Sequence, residues 1–382
     1  MIPVREAAGD DVAPSRDGPG GRRCESMLDL IGSTPVLRVS TPLPRQHPGF
    51  WAKLESVGPA TMKARAALSM LRGARARGEL RPGEAVVESS SGTLAVGLAY
   101  VGAALGHPVI IVADRELDAM TRTLLRARGA RVEIVSRPHP VGGWQRARLE
   151  RVRELLDELP GAYWPDQYNN PDNPAGYRAL GRELTEQFER LDAVVCSVGT
   201  GGHSAGIAAA LRERWPEVRV VGVDSPGSSV FGQPSERRLM RGLGSSIHPG
   251  NVAYGQFDEV HWVGPAEAAD ACRRLAAGCF VTGGWSTGAA AMVAAWCADE
   301  LGTDRVAAVF PDGPNRYWES VYDDDFCEQH GLAPFATAPS EVDSVAGSAG
   351  LRWARCRTVA DPCRRRDADR APCPVCEEGT TP

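Results

Sequence analysis

The chain has 382 residues, enough for one large or two medium domains, and it is 43% hydrophobic and 24% charged, as soluble globular proteins are. Forty-three Lys and Arg against 48 Asp and Glu leave a formal net charge of −5, which argues against general nucleic-acid binding because that needs a basic footprint. There is no run of about 18 apolar residues to span a membrane, and the polar N-terminus MIPVREAAGDD lacks the apolar core of a secretory signal. With no signal, the ten Cys are expected to stay reduced in a cytoplasm.

Residues 1–26 are rich in Gly, Pro, Asp and Arg and read as a disordered lead-in. Lys occurs only at Lys53 and Lys63, so the other 41 basic residues are Arg. A coding bias toward Arg explains the excess wherever charge alone matters. Arg stays protonated in a protein, whereas Lys can lose its proton and form a Schiff base. Lys63 stands in Gly58-Pro59-Ala60-Thr61-Met62-Lys63-Ala64-Arg65, after a turn and before a helical stretch. At a helix start the dipole disfavours an ammonium and lowers its pKa.

Next comes an expected strand, 85–88, running into Ser89-Ser90-Ser91-Gly92-Thr93 and a helical stretch from Leu94. Three hydroxyls and a Gly at a helix N-terminus suit a carboxylate, although one Ser or Thr suffices as an ordinary cap. Strands follow at 108–113 and 132–135. In the helix expected over 144–159, Val152, Leu155 and Leu159 share an apolar stripe, and Arg148 lies on it four residues before Val152. An Arg in that setting snorkels or has a buried partner unless it serves a ligand. Leu180, Leu184, Phe188 and Leu191 mark another helix face.

The strand at 193–198 opens onto Gly199-Thr200-Gly201-Gly202-His203-Ser204 and a helix. Such a turn aims backbone N–H groups at an anion, and Gly allows close approach and positive φ. Ser204 stands where a dinucleotide fingerprint needs its third Gly, so a single phosphate fits better than a pyrophosphate. After a strand at 218–224 comes Gly283-Gly284-Trp285-Ser286-Thr287-Gly288, which again opens an apolar helix, and the last expected strand is 306–310. This alternation predicts an α/β fold of two doubly wound domains with mostly parallel sheets. Beyond about residue 335 large apolar residues are few, and 336–382 is expected to be a disordered Cys- and Arg-rich tail. Cys373 and Cys376 form one CxxC, but Cys356 and Cys363 have six residues between them, so no metal site is assigned.

The order of these motifs, with Leu30-Ile31-Gly32-Ser33-Thr34-Pro35 ahead of them, resembles the fold-type II pyridoxal-phosphate enzymes of the cysteine synthase and cystathionine β-synthase group. The resemblance runs from about Met27 to Phe326. It implies that pyridoxal 5′-phosphate lies between two domains, a larger one from 27–62 and 170–335 and a smaller one from 63–169. It implies that Lys63 carries the cofactor, and that Gly199, Thr200, Gly201, Gly202 and His203 hold its phosphate. Ser286 faces the pyridine nitrogen, Gly242-Leu243-Gly244 lies beside the ring, and Ser90, Ser91, Gly92 and Thr93 grip the substrate carboxylate, with Thr93 also reaching the cofactor. A cytoplasmic homodimer is implied as well.

Thr93 and Leu94 replace the family's Asn-Thr, Ala64 replaces an Asp, and His203 replaces a Thr or Ser, which points away from ordinary cysteine synthesis. The stretches 162–168, 223–232, 310–317 and 321–322 look like the N-(2-amino-2-carboxyethyl)-L-glutamate synthases of siderophore and peptide-antibiotic pathways. Those enzymes add the glutamate amine to an aminoacrylate made from O-phospho-L-serine, on the way to L-2,3-diaminopropionate. Arg148 and Tyr168 match an acceptor-site Arg and Tyr there, while a Ser of those enzymes is Gly199 here, as in cysteine synthases. Two other readings stay open, a cysteine synthase using sulfide from an O-acetyl or O-phospho donor, and a catalytically silent binding module.

Overall fold

The computed structural model describes residues 23–40, 43, 48–140, 143–334 and 336–362. Its strands are β1 (Val36–Val39), β2 (Phe50–Leu54), β3 (Val86–Ser89), β4 (Val109–Ala113), β5 (Arg131–Ile134), β6 (Ala193–Ser197), β7 (Arg219–Asp224), β8 (Glu259–Val263), β9 (Val306–Phe310), β10 (Ser340–Glu341) and β11 (Trp353–Cys356). Its helices are α1 (Lys63–Arg77), α2 (Thr93–Leu105), α3 (Ala119–Ala127), α4 (Gly143–Glu158), α5 (Asp172–Gln187), α6 (Gly202–Arg214), α7 (Pro265–Cys279), α8 (Trp285–Leu301) and α9 (Asp324–Gln329). None is long and apolar enough to cross a membrane.

The strands form an eight-stranded sheet in the order β1-β2-β9-β6-β7-β8-β11-β10 and a three-stranded sheet in the order β3-β4-β5. The central ladder β2-β9-β6-β7-β8 is parallel throughout, as is the smaller sheet. Antiparallel β1 and β11 flank the central ladder. Side chains alternate between faces along a strand, and helices cover both. In β6, Val194 and Cys196 pack with the α5 and α6 face, while Ala193 and Val195 pack with α8. In β4, Ile110 and Val112 meet Val152 and Leu155 of α4, while Ile111 and Ala113 meet the α2 side.

The six expected strands are present to within a residue or so at each end, and β1, β2, β8, β10 and β11 are additional. The expectation of a disordered tail fails over 336–362. There β11 adds to β8 in register Ala354 with Trp262, and Trp353, Arg355 and Cys356 are buried. Composition missed this strand because its central residue is charged. Arg355 is 1% exposed yet fully compensated: it bonds Glu259 (Nε to Oε2 2.9 Å), Glu300 and Glu341, and its guanidinium stacks 4.2 Å over Trp296. Cys363, Cys373 and Cys376, and lead-in residues 1–22, lie outside the described residues.

The opposite end holds a second buried ion cluster. Lys53 of β2, 0% exposed, donates from Nζ to the Thr34 carbonyl (2.7 Å), Glu183 (2.7 Å) and Gln187 (3.0 Å). Arg65 of α1 forks onto Glu55 (2.7 and 2.9 Å) and Glu183 (2.7 and 2.9 Å). Burial pushes the Glu183 carboxyl up, but Arg65 and Lys53 outweigh it and hold the group down at about 2.

The C-terminal strand should be required for stability. Arg355→Ala leaves buried Glu259 with Arg219 as its remaining Arg partner, beside His261, and should cost about 3 kcal/mol in urea unfolding. A chain ending at residue 335 should lose cooperative unfolding. An unchanged midpoint in both would make β11 an accessory.

Candidate active site

The site gathers where parallel strands end, the usual place for a ligand in α/β sheets. Strand β6 runs into the Gly199 loop, β9 into Pro311-Asp312, and β3 into the Ser90 loop. Helix α1 begins at Lys63 beside them. The Met62 N–H donates to the Pro311 carbonyl (3.0 Å), and Thr61 holds φ +70° to make the turn. A Cβ on Gly97 of α2 would lie 3.0 Å from the Lys63 carbonyl, so the two helices touch through backbone. The Lys63 amine stands 3.5 Å from Thr200 Oγ1. Burial lowers its pKa to about 8, against the opposing charge of Asp312. The direction matches the sequence expectation, but the principal cause is burial where the helix dipole was expected.

The loop Gly199–Gly202 leads into α6 with Gly201 at φ +80° and no side-chain cap, so the first N–H groups of the helix are open to an anion. A Cβ on Gly201 would lie 2.6 Å from Val252 Cα, and one on Gly202 would strike the Asn173 amide. Only Gly fits this cradle. His203 is buried, and burial with the Lys63 charge pushes its pKa down to about 3. Its neutral ring packs edge-on against Tyr177 at 5.9 Å. His203 therefore brings a backbone N–H to an anion and no positive charge.

Across the pocket, Ser286 lies in the first turn of α8, after Gly284 and again without a side-chain cap. Its Oγ is buried and has no partner among the described residues. A Cβ on Gly242 would come within 3.1 Å of that Oγ. Asp312, which sequence reasoning left without a role, is the partner of the Tyr317 hydroxyl, which stands 3.5 Å from the same would-be Cβ on Gly242. It accepts from Tyr317 Oη at 2.7 Å, and burial raises its carboxyl pKa. An orphaned donor at one end, an uncapped cradle at the other and a buried amine between them fit pyridoxal 5′-phosphate. Ser286 would meet the ring nitrogen, Lys63 the aldehyde and residues 199–203 the phosphate.

In the substrate loop, Gly92 N–H donates to Ser90 Oγ (3.2 Å), and Gly92 begins α2 with no side-chain cap, leaving N–H groups for a carboxylate near Ser91 and Thr93. Arg316, also missed as a site residue, ties this loop to the larger sheet. It donates to the Ser91 carbonyl (3.0 Å) and to Asp118 (3.1 Å). Arg148 reaches the root of the loop, with Nε 3.2 Å from Ser89 Oγ. It is also ion-paired with buried Asp114 at the end of β4. Tyr168 is half-buried and within electrostatic reach of Arg148; burial pushes its hydroxyl up and Arg148 opposes the shift.

Residues 27–312 match the family described as pyridoxal-phosphate dependent enzyme. An N-(2-amino-2-carboxyethyl)-L-glutamate synthase of Cupriavidus metallidurans is 37% identical over 79% of this chain and 90% of its own. One of Ralstonia nicotianae is 35% identical over 83% and 96%. A cysteine synthase of Staphylococcus aureus is 32% identical over 77% and 95%. The crystal structure of O-ureido-L-serine synthase superposes with a TM-score of 0.73 at 30% identity, covering 79% of this chain and 96% of that one. That of an O-acetylserine-dependent cystathionine β-synthase from Helicobacter pylori gives 0.71 at 28%, covering 78% and 99%. With the lysine, the cradle and the orphaned serine in place, the chain belongs to the pyridoxal-phosphate dependent enzymes and has their fold-type II α/β architecture.

Proposed function

We propose that this enzyme joins the amine of L-glutamate to the β-carbon of O-phospho-L-serine, or of O-acetyl-L-serine, giving N-(2-amino-2-carboxyethyl)-L-glutamate, a precursor of L-2,3-diaminopropionate. The observation that carries this reading is Arg148, set against Ser89 at the root of the substrate loop with Tyr168 in reach. Sulfide needs no cation in the acceptor site, whereas an amino acid with its own carboxylates does. The synthases of that name at 35–37% identity support it. A cytoplasmic homodimer is part of the proposal, by analogy with the family.

When bound, pyridoxal phosphate withdraws electrons from the donor's Cα, so that the α-proton and then the β-substituent can leave. Lys63 is the base that takes the α-proton, and with a pKa near 8 it holds and releases a proton close to neutrality. Ser286 offers a neutral hydrogen bond to the ring nitrogen and does not require it to be protonated. Residues Ser90–Thr93 orient the donor carboxylate on the open N-terminus of α2. The donor's Cβ–O bond breaks and phosphate or acetate departs. A Cβ–N bond then forms to the glutamate nitrogen, which loses a proton, and Lys63 returns a proton to Cα. Arg148, fixed by Asp114, aligns the acceptor.

Purified protein should absorb at the visible edge, and Lys63→Ala should abolish the band without changing the urea midpoint. Lys53→Met should keep the band and lose roughly 3 kcal/mol of stability. Bleaching by Lys53→Met alone would assign the cofactor to the wrong lysine. Only the free amine adds to the cofactor aldehyde, so reconstitution of the apoenzyme should quicken as pH rises through about 8 and then level off.

Arg148→Ala should cut glutamate addition by more than roughly tenfold. Phosphate release from the donor in a single turnover should stay within about twofold, because Arg148 acts on the acceptor. The change strands the buried Asp114 carboxylate, so Arg148→Ala with Asp114→Asn serves as the stability control. Equal loss of both steps would make Arg148 structural. Faster turnover with sulfide than with any amine would make the protein a cysteine synthase.

A further inference from the structure

Arg148 already has a carboxylate partner in Asp114. A dicarboxylic acceptor carries two negative charges, and one shared guanidinium is a poor match for both. Arg238, in the connection between β7 and β8, is a second half-buried guanidinium near the same tyrosine. It donates to the Gly227 carbonyl (2.7 Å), the Glu236 carbonyl (3.4 Å) and Ser246 Oγ (3.0 Å). It has no ion pair with a carboxylate among the described residues. The acid within its electrostatic reach is Asp224, wholly buried at the end of β7, whose Oδ1 accepts the Ser225 N–H. Burial pushes that carboxyl up to about 7, so near neutrality it is only partly ionised and offsets only part of the Arg238 charge.

Arg238 also lies close to the cofactor cradle. Its Nε is 3.2 Å, and the buried, unpartnered Ser225 Oγ 2.6 Å, from the point where a Cβ on Gly244 would stand. The Gly244 carbonyl in turn faces Gly199 at 3.8 Å from that residue's would-be Cβ, and Gly244 N–H donates to the Val198 carbonyl at 2.7 Å. With Gly at 199, no side chain stands between this point and the phosphate loop. The charges of both Arg148 and Arg238 act on the Tyr168 hydroxyl.

We propose that Arg238 is a second carboxylate anchor of the acceptor site, so that Arg148 and Arg238 hold one carboxylate each of a dicarboxylic amino acid. This inference rests on the amine-adding function proposed above. It makes selection for two carboxylates the work of two separate guanidiniums, one carried by the smaller sheet's helix α4 and one by the larger sheet's β7–β8 connection.

The test uses the holoenzyme with O-phospho-L-serine and three acceptors: L-glutamate, L-glutamine, which lacks the side-chain carboxylate, and L-glutamic acid α-amide, which lacks the other. Wild type should favour glutamate over each amide by more than roughly tenfold in kcat/KM. Arg238→Gln should raise KM for glutamate and collapse discrimination against one amide, leaving discrimination against the other. Arg148→Ala should show the complementary pattern, and Arg238→Lys should restore part of the lost discrimination. Circular dichroism and the cofactor's absorbance check that each variant is folded and loaded. If Arg238→Gln slows all three acceptors equally, or none, the second anchor is wrong while the function stands. If both variants lose discrimination against the same amide, it is wrong as well. A wild type that adds sulfide and no amine overturns the function, and this inference with it.

Discussion

Lys63 can meet the cofactor only if the first turn of α1 is held in place, and a buried ion cluster two residues further on holds it. Arg65 joins α1 to Glu55 after β2 and to Glu183 in α5, and Lys53 completes the group from inside β2. Two carboxylates meet two cations with short, forked hydrogen bonds, the geometry that makes burying charge tolerable. The backbone contact between Gly97 and Lys63 and the Met62 bond to Pro311 supply two more constraints. A strained Thr61 before the helix is stable only because its surroundings fix it from these three directions.

With the amine fixed, most of the remaining recognition falls to backbone. Helices α2, α6 and α8 each start after a Gly, and none has a side-chain cap. Their open N–H groups lie in the loops proposed to take the donor carboxylate, the cofactor phosphate and the cofactor ring. The His203 ring is neutral, so what it offers an anion is its backbone N–H, and the amine beside the cradle is that of Lys63, 3.5 Å from Thr200. Guanidiniums tie down the Ser90 loop, at Arg316, and stand at the two positions proposed above to tell the carboxylates of an amino-acid acceptor apart, Arg148 and Arg238.

Legibility in the sequence follows this division. Glycine loops at strand ends and a rare Lys can be read locally, because the chemistry requires those residue types at those places. The buried parallel strands are apolar runs and are equally plain. Strands β2, β8 and β11 were missed because Lys53, Glu259, His261 and Arg355 break their apolar pattern. Each is compensated by a residue distant in the chain, as Arg355 is by Glu259, 96 residues away. Asp114 as the partner of Arg148, and Arg316 as the tie to Ser91, were hidden for the same reason. A pairing across the fold leaves no spacing to read.

The two lysines tie these points together. A chain that carries 41 Arg places Lys at two sites where a guanidinium would fail, for different reasons. At Lys63 the reason is chemical under the proposed role: a lysine that joins the cofactor must lose a proton near neutrality, and Arg cannot. At Lys53 it is steric. Its Nζ sits among the Thr34 carbonyl, Glu183 and Gln187 in a wholly buried position, and three rotatable donors on one nitrogen satisfy that arrangement. A planar five-donor fork would need more room and would leave N–H groups unpaired in the core. Neither residue is the surface remnant that composition alone would allow. The cluster built on Lys53 shares Glu183 with Arg65, so Lys53 helps place the start of α1, where the proposed cofactor lysine stands.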